Sequence, residues 1–93
     1  DSTQSLIYVD IVIKFKNGLL GLFDPKTIES DPENVAKHNA LIEYIEELNK
    51  QGKKAVGSII INNKGSWRYC NMRIENDKDL TSWEFLNLAK LNS

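Results

Sequence analysis

The sequence predicts a mixed α/β domain of about four strands in ββαββα order, with one long helix packed on the sheet. Three observations carry this. Residues 6–16 alternate apolar and polar positions, residues 30–52 hold a well-signalled helix with start and stop, and residues 54–62 hold a β-branched run.

In the first strand, Leu6 to Lys16, Ile7, Val9, Ile11, Ile13 and Phe15 fall on one face. Tyr8, Asp10, Val12, Lys14 and Lys16 fall on the other. Asn17-Gly18 marks a tight turn. Leu19 to Lys26 is apolar on both faces, as expected of a central strand covered on two sides. Ser30 and Glu33 have capping-box spacing, Asp31 is an alternative cap, and Pro32 suits the first helical position. The helix should run from about Pro32 to Lys50, with Gly52 as its stop and Val35, Leu41, Ile42, Ile45 and Leu48 as its apolar stripe. Lys54 to Asn62 forms the third strand, Asn62-Asn63-Lys64-Gly65 a turn, and Ser66 to Ile74 the fourth strand. Thr81-Ser82-Trp83-Glu84 again has capping-box spacing and predicts a last helix through about Leu91.

Composition narrows the function classes. The 93 residues carry 12 Lys and Arg against 13 Asp and Glu, for a net charge of −1. This argues against a polycation that coats nucleic acid by charge alone, while leaving room for a local basic groove. One cysteine, Cys70, and one histidine, His38, exclude an intrachain disulfide and the Cys/His zinc sites, and point to a reducing, cytoplasmic setting. No apolar run approaches the roughly 20 residues of a membrane span. The N-terminus has no signal-peptide build and no initiator methionine, which suggests an excised fragment.

The chemistry concentrates on Asp10, Asp24 and Lys26. A two-residue loop at Asn17-Gly18 would place Asp10 opposite Pro25, on the face away from Asp24. A three-residue loop, Lys16-Asn17-Gly18, with Gly18 left-handed, pairs Phe15 with Leu19 and sets Asp10 opposite Asp24, with Lys26 on the same face. Asn-Gly fits either loop. In the second register two carboxylates lie roughly 5 Å apart beside an ammonium. A hard cation such as Mg2+ would relieve their repulsion, polarise a phosphate and activate water. The same Asp-x-Lys spacing also fits a salt bridge beside a solvated Asp10.

Tyr8-Val9-Asp10-Ile11-Val12, then Gly21-Leu22-Phe23-Asp24-Pro25-Lys26, a capped helix and Gly65-Ser66-Trp67 together resemble the PD-(D/E)XK nuclease core. More narrowly, this looks like the C-terminal nuclease region of type III restriction enzyme subunits and related helicase-fused proteins. The resemblance covers about residues 8–69. It implies a single nuclease-like domain over residues 1–93 with a truncated restriction-endonuclease-like core, belonging to a larger restriction or helicase protein. It further implies Mg2+- or Mn2+-dependent hydrolysis of DNA, with Asp10, Asp24 and Lys26 catalytic and Asp10, Asp24 and the Pro25 carbonyl as metal ligands. The implied partners are DNA, a helicase or translocase domain of the same chain, and a modification subunit. Three features depart from the family pattern: Val9-Asp10 stands for Pro-Asp, Pro25 sits between the two key residues and removes a ladder donor, and the helix that precedes the first motif strand in the family is missing here. A non-catalytic nuclease-like module that docks DNA or a motor domain is the alternative.

Lys37, His38 and Arg68 are candidate nucleic-acid contacts. Lys37 and His38 lie beside the apolar stripe near the helix start, where His38 also fits a histidine packed on the sheet. Arg68 stands between Trp67 and Tyr69, where aromatics and cations could stack bases and hold phosphates or simply cover a small core.

Overall fold

The computed structural model of the chain describes residues 9–26, 32–76 and 80–93. Its elements are β1 (Ile11–Lys14), β2 (Leu20–Lys26), α1 (Pro32–Lys50), β3 (Ala55–Asn63), β4 (Ser66–Tyr69), β5 (Glu84–Phe85) and α2 (Leu88–Leu91). The strands form one mixed sheet in the order β1-β2-β3-β4-β5. Only β2 and β3 run parallel, and α1 is the crossover between them. The other neighbours are antiparallel.

The hairpin adopts the three-residue loop. Phe15 donates its N–H to the Leu19 carbonyl at 2.8 Å, and the Gly18 N–H closes on the Phe15 carbonyl at 3.1 Å. Gly18 has φ +93°, a conformation that residues with a Cβ enter only at a cost. The register that follows is Lys14 with Leu20 through Ile11 with Phe23. Ile11 and Ile13 turn inward while Val12 stays 62% exposed, as the alternation predicts. The predicted extension of β1 back to Leu6 lies partly outside the described residues.

Apolar side chains fill both faces of the sheet. Leu41, Ile45 and Leu48 of α1 pack on Leu22, with Val9, Leu20 and Ala55 at the margin. The helix sits close to the sheet at Gly57, where a Cβ would come within 2.9 Å of both Ile45 Cγ1 and the Leu22 carbonyl oxygen. A second cluster joins Phe23, Ile60 and Tyr69, edged by Ile11, Ile13, Val56, Leu86 and Leu91. A third joins Ile59, Ile61, Cys70, Leu80 and Trp83.

The C-terminal third departs from the sequence-based expectation. The fourth strand ends at Tyr69, and residues 84–85 form a fifth strand where a helix was predicted. The reason is tertiary. Trp83 is drawn into the third cluster and is 4% exposed, and the chain beyond it pairs with β4, Arg68 opposite Phe85 and Tyr69 opposite Glu84. That burial and pairing outweigh the local capping signal at Thr81. The helix that remains, α2, is capped by Asn87, whose side chain accepts the Lys90 N–H. Asn17 ties α2 back to the hairpin by donating to the carbonyls of Leu91 at 2.8 Å and Ser93 at 3.1 Å.

Candidate functional site: a buried aspartate between two lysines

Asp24 stands near the C-terminal end of β2, on the face that α1 covers. It is 1% exposed. One carboxylate oxygen, Oδ1, accepts the Asp10 backbone N–H at 3.0 Å. The other, Oδ2, lies 2.9 Å from the Lys26 ammonium and 3.1 Å from that of Lys37. Both contacts are ion pairs at hydrogen-bond distance, and the attraction of opposite charges holds the ammoniums there. Burial alone would raise the Asp24 carboxyl. The Lys26 and Lys37 ammoniums and the Asp10 N–H outweigh that effect and hold it below the ordinary carboxylate range. Each lysine side chain keeps about a third of its surface in water, 29% and 31%, so either head group can leave Oδ2 without being stranded.

The strand ladder explains why Asp10 meets Asp24. The register continues one step past Ile11 and Phe23 to set Asp10 beside Asp24. Pro25 has no N–H to extend the ladder, the β1 pairing ends at Ile11, and Asp10 bends so that its N–H turns to the Asp24 carboxylate. Asp10 is itself exposed. The salt bridge of the plainer reading, Asp24 with Lys26, is therefore present, and a second lysine joins it.

Of the residues singled out in the sequence, Asp10, Asp24, Pro25, Lys26 and Lys37 come together at this end of the sheet. His38 does not serve as a surface contact. It is fully buried, and its Nε2 donates to the Met72 carbonyl at 2.8 Å while Nδ1 accepts the Ile59 N–H at 3.3 Å. Its ring stacks on Trp83, centroids 5.6 Å apart. Burial pushes its pKa down, against the opposing pull of the Met72 carbonyl, and keeps the ring neutral. The imidazole thus bridges β3 to the chain that diverges after β4, which is why this position is polar yet inside. Arg68 is also engaged within the chain: its guanidinium lies 4.1 Å from the centroid of the Phe85 ring, and Nη1 donates to the Trp83 carbonyl at 3.4 Å.

Sequence reading missed three polar residues of structural weight. Asn49 clamps the N–H and C=O of Ala55, Asn39 does the same to Ile74, and Ser58 Oγ receives the Cys70 N–H. Asparagine is a mediocre helix former, so two of them inside α1 were the available signal. Among the described residues no group of three or more His, Cys, Asp or Glu gathers at one point, and no helix is long and apolar enough to cross a membrane. No protein-family model matches the chain, and neither does any curated protein or solved structure.

Proposed function

We propose that this domain is a metal-dependent phosphodiesterase acting on DNA, of the PD-(D/E)XK nuclease type, with a truncated restriction-endonuclease-like core. The observation that carries the reading is the hairpin register, which sets Asp10 against the buried Asp24 while Lys26 shares its carboxylate. The position supports it too, since open α/β sheets bind ligands beyond the carboxyl ends of their parallel strands.

The donor set fits a hard cation: the Asp24 and Asp10 carboxylates and the Pro25 carbonyl are all oxygen ligands, and among the described residues Oδ2 of Asp24 is held by two partly exposed ammoniums. Mg2+ or Mn2+ bound there would polarise a phosphate and lower the pKa of a water. Lys26 and Lys37, once displaced from Asp24, become cations free to meet phosphate oxygens. Lys26 is then placed to stabilise charge that develops on the scissile phosphate, and Lys37 to position the backbone.

A second reading has its own observation. Two lysines already neutralise Asp24, so the carboxylate could serve only to aim two ammoniums at the phosphates of DNA, in a docking module without catalysis. Titration with Mn2+ separates the two. The nuclease reading expects a saturable site, lost in Asp10→Asn and in Asp24→Asn, and Mg2+-dependent DNA cleavage lost in Lys26→Ala. Cleavage that survives Lys26→Ala and Asp24→Asn unchanged would sink it. DNA binding without any Asp10-dependent metal site leaves the docking module.

A further inference from the structure

The outer edge of β3 is closed residue by residue, with one gap. Leu20 donates its N–H to the Lys54 carbonyl. Strand residues alternate the side to which they turn their polar backbone groups, so in β3 the odd-numbered residues turn theirs away from β2. Each such residue but one has a partner on that edge. The Asn49 carboxamide clamps Ala55, accepting its N–H at 3.0 Å and donating to its carbonyl at 3.2 Å. His38 accepts the Ile59 N–H, and the Ser58 hydroxyl donates to the Ile59 carbonyl. Strand β4 lies along Ile61 and Asn63. Gly57 alone has no partner for its outward N–H and C=O among the described residues.

That open pair faces a cavity of about 420 Å3, between α1, the β3 edge and the end of α2. Its wall is largely apolar, with Ile42, Ile45, Val56, Tyr69 and Leu91, and Asn49 and Asn71 add polar groups. This lies within the size range of small-molecule sites, about 300–1,000 Å3. It shares no lining residue with Asp24, Lys26 or Lys37, and does not depend on their role.

From this gap we infer that the cavity is a binding site for a planar ring bearing a carboxamide or lactam edge, a donor and an acceptor side by side, which completes the Gly57 pair. The fold itself displays the chemistry twice: Asn49 grips Ala55, and Asn39 grips Ile74 with both distances at 2.9 Å. An added peptide strand does not fit. Its next pairing residues would fall opposite Ala55 and Ile59, where Asn49 and His38 already sit. A single trans peptide group fails as well, because its N–H and C=O point in opposite directions. The apolar wall favours a ring over a bare amide.

Amide proton–nitrogen correlation spectra of the wild-type chain test this without any variant that must fold. Uracil and nicotinamide should each produce a saturable downfield shift of the Gly57 amide and slow its hydrogen exchange. Their fully N-methylated analogues, in which the donor is gone and the edge is blocked, should not. Oligothymidylate, whose bases carry the same lactam edge, distinguishes the source: a shift there assigns the site to a base within single-stranded DNA, and a shift with the free compounds alone assigns it to a small molecule. A Gly57 amide that stays still with every probe, or moves equally with the methylated analogues, overturns the inference.

Discussion

Asp24 and His38 are both buried, and acid works on them in separate pH windows. Both have folded pKa values below their unfolded ones. In each case the unfolded chain takes up a proton that the folded chain resists, so stability falls as pH falls. For His38 the loss begins near the unfolded value of about 6.5 and continues down to the lower folded value. His38 is the only histidine in the sequence, so this first decline has one histidine source. For Asp24 the loss begins near about 3.9 and continues below it. Urea midpoints measured across this range should therefore fall in two stages. His38→Gln should remove the first stage while costing about 1–3 kcal/mol at neutral pH, because the Ile59 N–H and Met72 carbonyl lose well-placed partners. Asp24→Asn should shrink the second stage without abolishing it, since other carboxylates titrate there as well. A first stage that persists in His38→Gln would mean the buried imidazole is not its origin.

At the scale of elements, the β1–β2 hairpin decides whether a site exists. A loop of two residues would have put Asp10 and Asp24 on opposite faces; the loop of three sets them side by side. Gly18 makes that loop possible, and a Cβ there would meet nothing within 4 Å, so the only penalty of a side chain is its backbone conformation. Gly18→Ala should accordingly cost about 1–2 kcal/mol in denaturant unfolding and leave the Asp10–Asp24 contact intact. A much larger loss would show that the loop carries more than a φ constraint. Much of this part of the fold is legible in the sequence because its signals are local: the Asn-Gly turn, the alternation of Ile11, Val12 and Ile13, and the stripe of α1. Residues 81–91 were not legible, because Trp83 answers to Ile59 and Ile61, far away in sequence, and not to its own capping signal. The site was half legible. Asp24 with Lys26 is a spacing within one strand, but Lys37 reaches Asp24 only once α1 crosses back over the sheet, and no periodicity announces a crossover of that kind.

For the whole molecule, a net charge of −1 gives no general attraction to DNA, so the affinity that the proposed function requires must come from where the cations sit. The crossover from β2 through α1 to β3 brings Lys26 and Lys37 to one carboxylate near the carboxyl ends of the two parallel strands. Arg68 shares a cross-sheet row with Lys26, through Ile61, but Phe85 and the Trp83 carbonyl hold it. The two lysines are thus the cations best placed to exchange a carboxylate for phosphates. Each phosphate neutralised on duplex DNA contributes about 0.9 to the slope of log affinity against log salt. Replacing Lys26 and Lys37 together with alanine should lower that slope by roughly 2 and weaken binding evenly across DNA sequences. Arg68→Ala should leave the slope nearly unchanged. The measurement is a salt titration of a short duplex, with and without Mn2+. If metal and lysines compete for Oδ2 of Asp24, Mn2+ should strengthen DNA binding in the wild type by freeing both ammoniums, and much less so in the double variant. A slope that ignores the two lysines would place the DNA contact elsewhere on the surface and leave Asp24, Lys26 and Lys37 as an ion cluster that only holds α1 to the sheet.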